Sequence, residues 1–419
     1  MQKINSVKGT KDLLGDELHN HEWLKNSFEE ICYFFNYEKI VTPIIEHSEV
    51  FNRSLGEASD IVSKEMYNFI DQGGDHLVLR PEGTAAIARA FISNSFNQKL
   101  INKYFYSGPM FRRERPQSGR LRQFNQLGIE CFGNANFSSD LEVIILAEKF
   151  LEKIGLRHNL NLEVNSLGNT ESRQKYTKSL KDYFIKMSSK LSEESRKRVE
   201  KNPLRILDSK DLNDKEIIKE CPKIETFYDR ESQVFFENLI NGLKKIGIKF
   251  NINSRLVRGL DYYNHTTFEY KTMEDKRQNT VLAGGRFDGL VHMLGGDRVG
   301  GVGWAAGVER ILLNLKLNTK SPLKVISIFS NIDSLNPEIL KIIKNLNVQE
   351  QYKINFINSG NFKKKMTKAG KVKSEACIIV GEDEWKTKHI IWKDFNSGKQ
   401  EILSIENLKD FIKKKFLKK

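Results

Sequence analysis

Three arginines, Arg112, Arg258 and Arg310, stand far apart in the chain, each inside a distinctive string. Arg112 lies in FRRERPQSGRLRQFNQLGIE (111–130), Arg258 in LVRGLDYY (256–263) and Arg310 in GVGWAAGVERILL (301–313). A guanidinium is planar, permanently charged and carries five donors, so it grips phosphate or carboxylate oxygens in pairs. No GxxxxGK[ST] string occurs, so a triphosphate would not be cradled by a P-loop. The glycines near 284 and 300 lack the strand–helix context of a dinucleotide fingerprint. A set of separated arginines, each aimed by a strand or helix, could hold a triphosphate instead. They would stabilise charge spread over phosphate oxygens without exchanging a proton. Any one of them alone reads as an ordinary ion pair; their contexts together point to a site.

The use of the two basic residues supports that choice. The chain carries a formal +14 charge and is rich in lysine throughout. No arginine follows Arg310, and residues 324–419 hold 20 lysines against 11 acidic residues. Seven arginines fall between Arg80 and Arg122. A sequence that uses lysine wherever charge suffices keeps arginine where bidentate grip is needed.

These residues need elements to aim them. Residues 17–36 space apolar side chains at helical intervals, and YEKIVTPIIE follows as a β-rich run. Pro43 inside that run points to an edge or bulge where two subunits could meet. Residues 103–132 alternate like two strands around a polar loop with Pro116 and Gly119, a long antiparallel hairpin. Residues 140–154 read as a helix with Asp140 as its N-cap. From 170 to 235 the chain turns helical, charged and glycine-poor, the pattern of an inserted module. Strand-like runs return over 251–310, with Gly284, Gly285, Gly295, Gly296, Gly300, Gly301, Gly303 and Gly307 giving turns and close backbone approach. WAAGVERILLNL reads as the helix that closes this first domain, 1–320. In 325–419, KVISIFS, PEILKIIKNL, YKINFIN, ACIIVG and HIIWKDF alternate strand and helix, a small α/β domain. ACIIV and GEDEWK are expected to be core strand and turn.

At 419 residues, 39% hydrophobic and 29% charged, the chain reads as globular and multidomain. No apolar run reaches the ~18 residues of a membrane span, and Met1–Asp12 lacks the apolar core of a secretory signal. A soluble cytoplasmic protein is expected. Cys32, Cys131, Cys221 and Cys377 lack CxxC pairing or nearby histidines, which argues against a zinc site or disulfides.

Five ordered strings, RPEGTAAIARA (80–90), GPMFRRERPQSGRLRQFNQLGIE (108–130), LVRGLDYY, AGGRFDGL (283–290) and GVGWAAGVERILL, strongly resemble class II histidyl-tRNA synthetases of bacterial type. The resemblance implies an α+β fold: an antiparallel-sheet catalytic domain with a helical insertion, and a C-terminal α/β anticodon-binding domain. It implies a homodimeric ligase that joins L-histidine to tRNA(His) through a histidyl-adenylate, with ATP as substrate and Mg2+ bridging its phosphates. Arg112 would hold the α-phosphate and the amino-acid carboxylate, Glu114 would face adenine, and Arg310 would bind the γ-phosphate. Arg258 would stabilise the α-phosphate during attack. Glu82, Gly83, Thr84 and Gln126 would surround the histidine ammonium. Glu130 and Tyr263, supported by Tyr262, would read the imidazole. Arg115, Gln117 and Arg120 would approach the tRNA acceptor end. Phe287 and Arg113 depart from the family's common tyrosine and histidine. The alternative is a synthetase-like regulatory subunit of ATP phosphoribosyltransferase, which typically lacks the anticodon-binding domain.

Overall fold

The computed structural model describes residues 3–56, 59–95, 102–115, 119–273, 279–315, 317, 323–346 and 352–416. The chain divides into two compact units, Met1–Leu317 and Asn318–Lys419.

In the first unit the strands are β1 (Glu38–Lys39), β2 (Ile45–His47), β3 (Tyr67–Ile70), β4 (His76–Leu79), β5 (Asn102–Phe111), β6 (Gln123–Phe132), β7 (Leu160–Ser166), β8 (Asn251–Ile252), β9 (Asn264–Thr272), β10 (Thr280–Arg286) and β11 (Gly301–Gly307). Eight of them form one sheet in the order β1-β5-β6-β11-β10-β9-β7-β8, and β2-β4-β3 form a small second sheet. The large sheet is antiparallel except at its two edges, where β1 pairs with β5 and β8 with β7 in parallel. The helices are α1 (Gly15–Phe34), α2 (Ser48–Leu55), α3 (Thr84–Ser93), α4 (Phe137–Lys153), α5 (Thr170–Lys186), α6 (Glu193–Val199), α7 (Leu212–Lys219), α8 (Arg230–Ile246), α9 (Leu290–Met293) and α10 (Val308–Asn314).

The expected hairpin is β5 and β6, in continuous register from Asn102 opposite Phe132 to Phe111 opposite Gln123. Strand alternation then sorts its faces. Leu127, Ile129 and Cys131 of β6 pack under α1 and α4 in one core. Gln126, Gly128 and Glu130 therefore share the opposite face.

Three local expectations differ. The helix expected from Asp140 begins at Phe137, capped by Asn136, whose side chain accepts from Ser138 N at 2.9 Å. Asp140 is instead fully buried inside α4, where Arg286 Nε donates to it at 3.1 Å. Trp304–Gly307, expected in a helix, is the end of strand β11, because this segment runs between β6 and β10 and helix starts only at Val308. Pro43 lies between β1 and β2 rather than within a strand.

The segment expected as an insertion folds as α5, α6 and α7 joined by short 3-10 turns. Buried Asp214 organises it, accepting from Ser192 N and Oγ at 2.8 Å and from Ser195 and Ser209 Oγ at 2.6 Å. Those bonds hold its carboxyl below the ordinary range although burial opposes them. Tyr176, Leu180 and Phe184 of α5 share one apolar cluster with Tyr262 and Tyr263.

The second unit is a five-stranded sheet of β12 (Lys324–Ser330), β13 (Tyr352–Phe356), β14 (Ala376–Val380), β15 (His389–Asp394) and β16 (Gln400–Ser404), ordered β13-β12-β14-β15-β16. Helices α11 (Asn336–Asn345), α12 (Phe362–Lys371), α13 (Glu382–Lys386) and α14 (Leu408–Phe416) accompany it. ACIIV is buried throughout, as its composition demands. GEDEWK, expected as a turn, contains α13.

Candidate active site

One cleft on the open face of the large sheet gathers Glu82, Thr84, Arg112, Glu114, Arg120, Gln126, Arg258, Tyr262, Tyr263 and Arg310. They come from β5–β6, the start of α3, the loop before β9, and α10.

Each of the three arginines is aimed by a bond that uses only part of its donor set. Arg112 Nε donates to Pro81 O at 2.9 Å, and its guanidinium lies 5.4 Å from the Phe124 ring centre. Arg310 Nη1 donates to Thr280 O at 2.9 Å. Arg258 Nη1 pairs with Glu269, and its guanidinium sits 5.4 Å above the Tyr263 ring. Arg258 Nε is buried without a hydrogen-bond partner. Burial, and then the charges of Arg120 and Arg112, lower the Arg310 pKa. Such a concentration of positive charge invites a polyanion.

Beside it lies an acidic floor. Glu82 precedes α3 and takes Thr84 N and Ala85 N, both at 2.8 Å, so it caps the helix as well as lining the cleft. Burial raises its pKa against those bonds. Gln126 Oε1 accepts from Gly83 N and from Tyr106 Oη, both at 3.0 Å. Glu130 is 1% exposed and stands one layer behind the cleft wall, joined to it by Thr84 Oγ1, which donates to Oε1 at 2.6 Å. Its other oxygen, Oε2, is buried without a partner. Burial raises its pKa well above 4.5 despite the Thr84 bond, and the nearby Glu82 charge adds to the rise. The Tyr262 and Tyr263 rings lie 4.5 Å apart, and burial raises both phenol pKa values.

The hairpin tip is divided. Arg115 is exposed, and Gln117 lies outside the described residues. Arg120, expected on the tRNA side, turns to the cleft, where Nη1 is 2.8 Å from Glu114 Oε2. Two other arginines of the 80–122 stretch, both before the hairpin, are structural. Arg80 Nη1 donates to Thr42 O at 2.9 Å, and Arg89 grips Glu46 with Nε at 3.1 Å and Nη2 at 2.5 Å. Phe287, the departure from the family pattern, is core, in edge contact with Tyr262 at 5.8 Å.

Three residues of the site were not read from the sequence. Tyr106 fills the space under Gly83 and Gly128, where a Cβ would come within 2.2 and 2.5 Å of its ring. Its signal was the hairpin register, which sets Gly128 opposite Tyr106. Glu269 anchors Arg258; its signal was alternation, a carboxylate between the fully buried Phe268 and Tyr270. Phe124, beneath Arg112, had no signal beyond a place in β6.

The chain has relatives along its whole length. The family model described as Histidyl-tRNA synthetase matches residues 9–311, and the Anticodon binding domain model matches 323–415. The chloroplastic histidine–tRNA ligase of Pyropia yezoensis is 45% identical over 100% of this chain and 98% of its own. The histidine–tRNA ligase of Rhodospirillum rubrum is 41% identical over 98% of this chain and 99% of its own. The crystal structure of apo S. aureus histidyl-tRNA synthetase superposes with a TM-score of 0.78 at 29% identity, covering 98% of this chain and 100% of that one. The fold is that of an aminoacyl-tRNA synthetase, and the relatives are such ligases. Within that class the chain belongs to the histidyl-tRNA synthetase family.

Proposed function

We propose that the enzyme makes histidyl-adenylate from L-histidine and ATP and passes the histidyl group to tRNA(His), and that the cleft residues divide this work as follows. The observation that carries the reading is three arginines converging on one cleft, with a buried carboxylate, Glu130, joined to the cleft wall through Thr84 and keeping one oxygen unpartnered. Triphosphate answers the first, and the N–H of an amino-acid ring answers the second.

A histidine carboxylate oxygen attacks the α-phosphorus, the bond to the diphosphate breaks, and diphosphate leaves. Arg112 and Arg258 hold the α-phosphate and the incoming carboxylate, so two anions approach with their charge already compensated. Arg310, with Arg120 beside it, holds the outer phosphates. Phe124 offers a flat face for the adenine, and Glu114 lies at its edge. Glu82, Thr84 and Gln126, with the Gly83 backbone, receive the ammonium. The ring enters beside Thr84, Glu130 accepts one ring N–H, and Tyr263, backed by Tyr262, serves the other nitrogen. A terminal ribose hydroxyl of the tRNA then attacks the acyl carbon and AMP leaves; Arg115 and Gln117 guide that end.

Magnesium is assigned to the triphosphate rather than to a protein cage. Among the described residues no group of three or more His, Cys, Asp or Glu converges for a metal, and Glu269, the carboxylate on Arg258, is already engaged by Arg258, Lys271 and Thr280. Phosphate oxygens and water would be its ligands, and it would neutralise part of their charge.

Homodimerisation is supported by apolar side chains left exposed on α1 and around β1–β2, including Phe34 at 80% and Val41 at 78%. A cytoplasmic location fits the reaction; no described helix is long and apolar enough to cross a membrane. The test is charging of a tRNA(His) transcript. Formation of histidyl-tRNA with one AMP released per product supports the proposal; a protein that binds the tRNA and histidine with ATP yet forms no ester would not be the ligase described.

A further inference from the structure

The loop that carries Arg258, Tyr262 and Tyr263 has no ladder to hold it: residues 253–263 lie between β8 and β9 in neither helix nor strand. Loops that present functional side chains need a scaffold from elsewhere. We propose that Arg173, in the first turn of α5, is that scaffold, a positioning residue for the histidine subsite. The inference rests on the function proposed above.

Its guanidinium spans three consecutive residues of the loop. Nη1 donates to Asp261 O and, at 2.9 Å, to Tyr263 O, the two carbonyls that flank Tyr262; Nη2 donates to Asp261 Oδ1 at 3.2 Å. The start of α5 is itself fixed. Asn169 caps it, accepting from Ser172 N at 2.9 Å, and Asn169 Nδ2 donates to Asp229 Oδ2 at 2.6 Å at the start of α8. From the other side, Asp261 packs on Gly56 at the end of α2. A Cβ there would lie 2.0 Å from Asp261 Oδ2, and Gly56 has φ +80°. The loop is thus clamped between α2 and the inserted segment, with Asp261 in the jaw.

Arg258 has a separate anchor in Glu269, and Arg310 one in Thr280. Loosening the clamp therefore moves the tyrosines first and the phosphate-holding arginines least. A forked guanidinium can meet two carbonyls and a carboxylate together, whereas an ammonium on a flexible stem cannot do so in one geometry. This also gives Asp261 of LVRGLDYY its work: it is held so that Tyr262 and Tyr263 are held.

The test is histidine-dependent exchange of labelled pyrophosphate into ATP, without tRNA, by the full-length protein. Arg173→Ala is expected to raise the histidine KM about 10-fold or more with the ATP KM within about twofold. Arg173→Lys should recover part of the loss. Asp261→Asn, which keeps both carbonyl contacts, should cost less than Arg173→Ala. Gly56→Ala, acting from the opposite jaw, should reproduce the histidine-selective rise. A merely structural role would lower the active fraction or move both KM values together, and that outcome overturns the inference, as does an unchanged histidine KM in a folded variant. If Arg173→Ala does not fold, Arg173→Lys and Gly56→Ala decide on the same split. If the wild type itself shows no histidine-dependent exchange, the functional reading fails rather than the clamp.

Discussion

Thr84 Oγ1 donates to Glu130 Oε1 at 2.6 Å, which leaves Glu130 Oε2 buried and unpartnered. A carboxylate kept in that state carries a desolvation cost that an incoming donor relieves. Glu130→Gln should therefore raise the histidine requirement by roughly 10–100-fold, the loss of a charge-assisted hydrogen bond, with a much smaller effect on ATP. Steady-state exchange kinetics decide the point; equal effects on both substrates would remove Glu130 from the ring pocket.

The same substitution has a stability signature with a definite sign. Burial raises the Glu130 pKa above its ordinary 4.5, so the native state holds this proton more tightly than the unfolded chain. Its contribution to stability is complete below about pH 4.5 and is lost as pH rises through the native value. Without histidine, Glu130→Gln should thus gain on the wild type with rising pH, by roughly 1–3 kcal/mol once the wild-type carboxyl is ionised. Melting temperatures at pH 4.5 and pH 8 measure it; a variant-minus-wild-type difference that falls with rising pH contradicts the sign.

Gly303 faces Glu130 across the β6–β11 pairing, and a Cβ there would lie 2.0 Å from Oε2 and 2.2 Å from Ile129 O. The second contact is backbone and cannot swing away. Gly303→Ala should cost about 1–3 kcal/mol in urea unfolding and displace Glu130, raising the histidine Kd. A variant of wild-type stability and affinity would mean the strands part more easily than their register indicates.

Arg310→Ala should lower exchange about 100–1000-fold at fixed substrate, the range for removing a preorganised group that stabilises transition-state charge, while histidine binding stays within about twofold. Arg310→Lys should not restore the rate, because the guanidinium uses Nη1 on Thr280 O while presenting its other donors. Calorimetric histidine binding beside exchange kinetics separates the two substrates.

Arg286 and Asp140 are both fully buried, and Arg286 also pairs with Asp288 at 2.8 Å and donates to Asn134 O at 3.1 Å. Asp140→Ala strands a buried cation, so a loss of about 3–5 kcal/mol is expected. Denaturant midpoints measure it; a loss below about 1 kcal/mol would show that Asp288 alone suffices.

What could be read from the sequence follows from what is local. The β5–β6 hairpin shows as two strand-like runs on either side of a polar loop; its register, which puts Gln126 and Glu130 on one face, comes from the pairing itself. Asp140 was misplaced because a carboxylate at the head of an apolar helix resembles a cap, and its true partner, Arg286, is 146 residues away. WAAGVERILL is apolar enough for either period; what makes its first half a strand is pairing with β6 on one side and β10 on the other, and β6 is distant in sequence. Glu269 shows in the sequence only as a carboxylate between two apolar strand residues; its partner, Arg258, eleven residues back, comes to it only through the folding of the intervening loop.

Histidine is the amino acid this cleft is proposed to activate. The direct measurement is exchange of labelled pyrophosphate into ATP by the wild-type protein with each standard amino acid in turn. Exchange with histidine, exceeding that with any apolar amino acid by roughly 10⁴ or more, is the predicted result, since an apolar ring or chain would leave Glu130 Oε2 buried and unpaired. No exchange above the amino-acid-free control, or equal exchange with another amino acid, would contradict it.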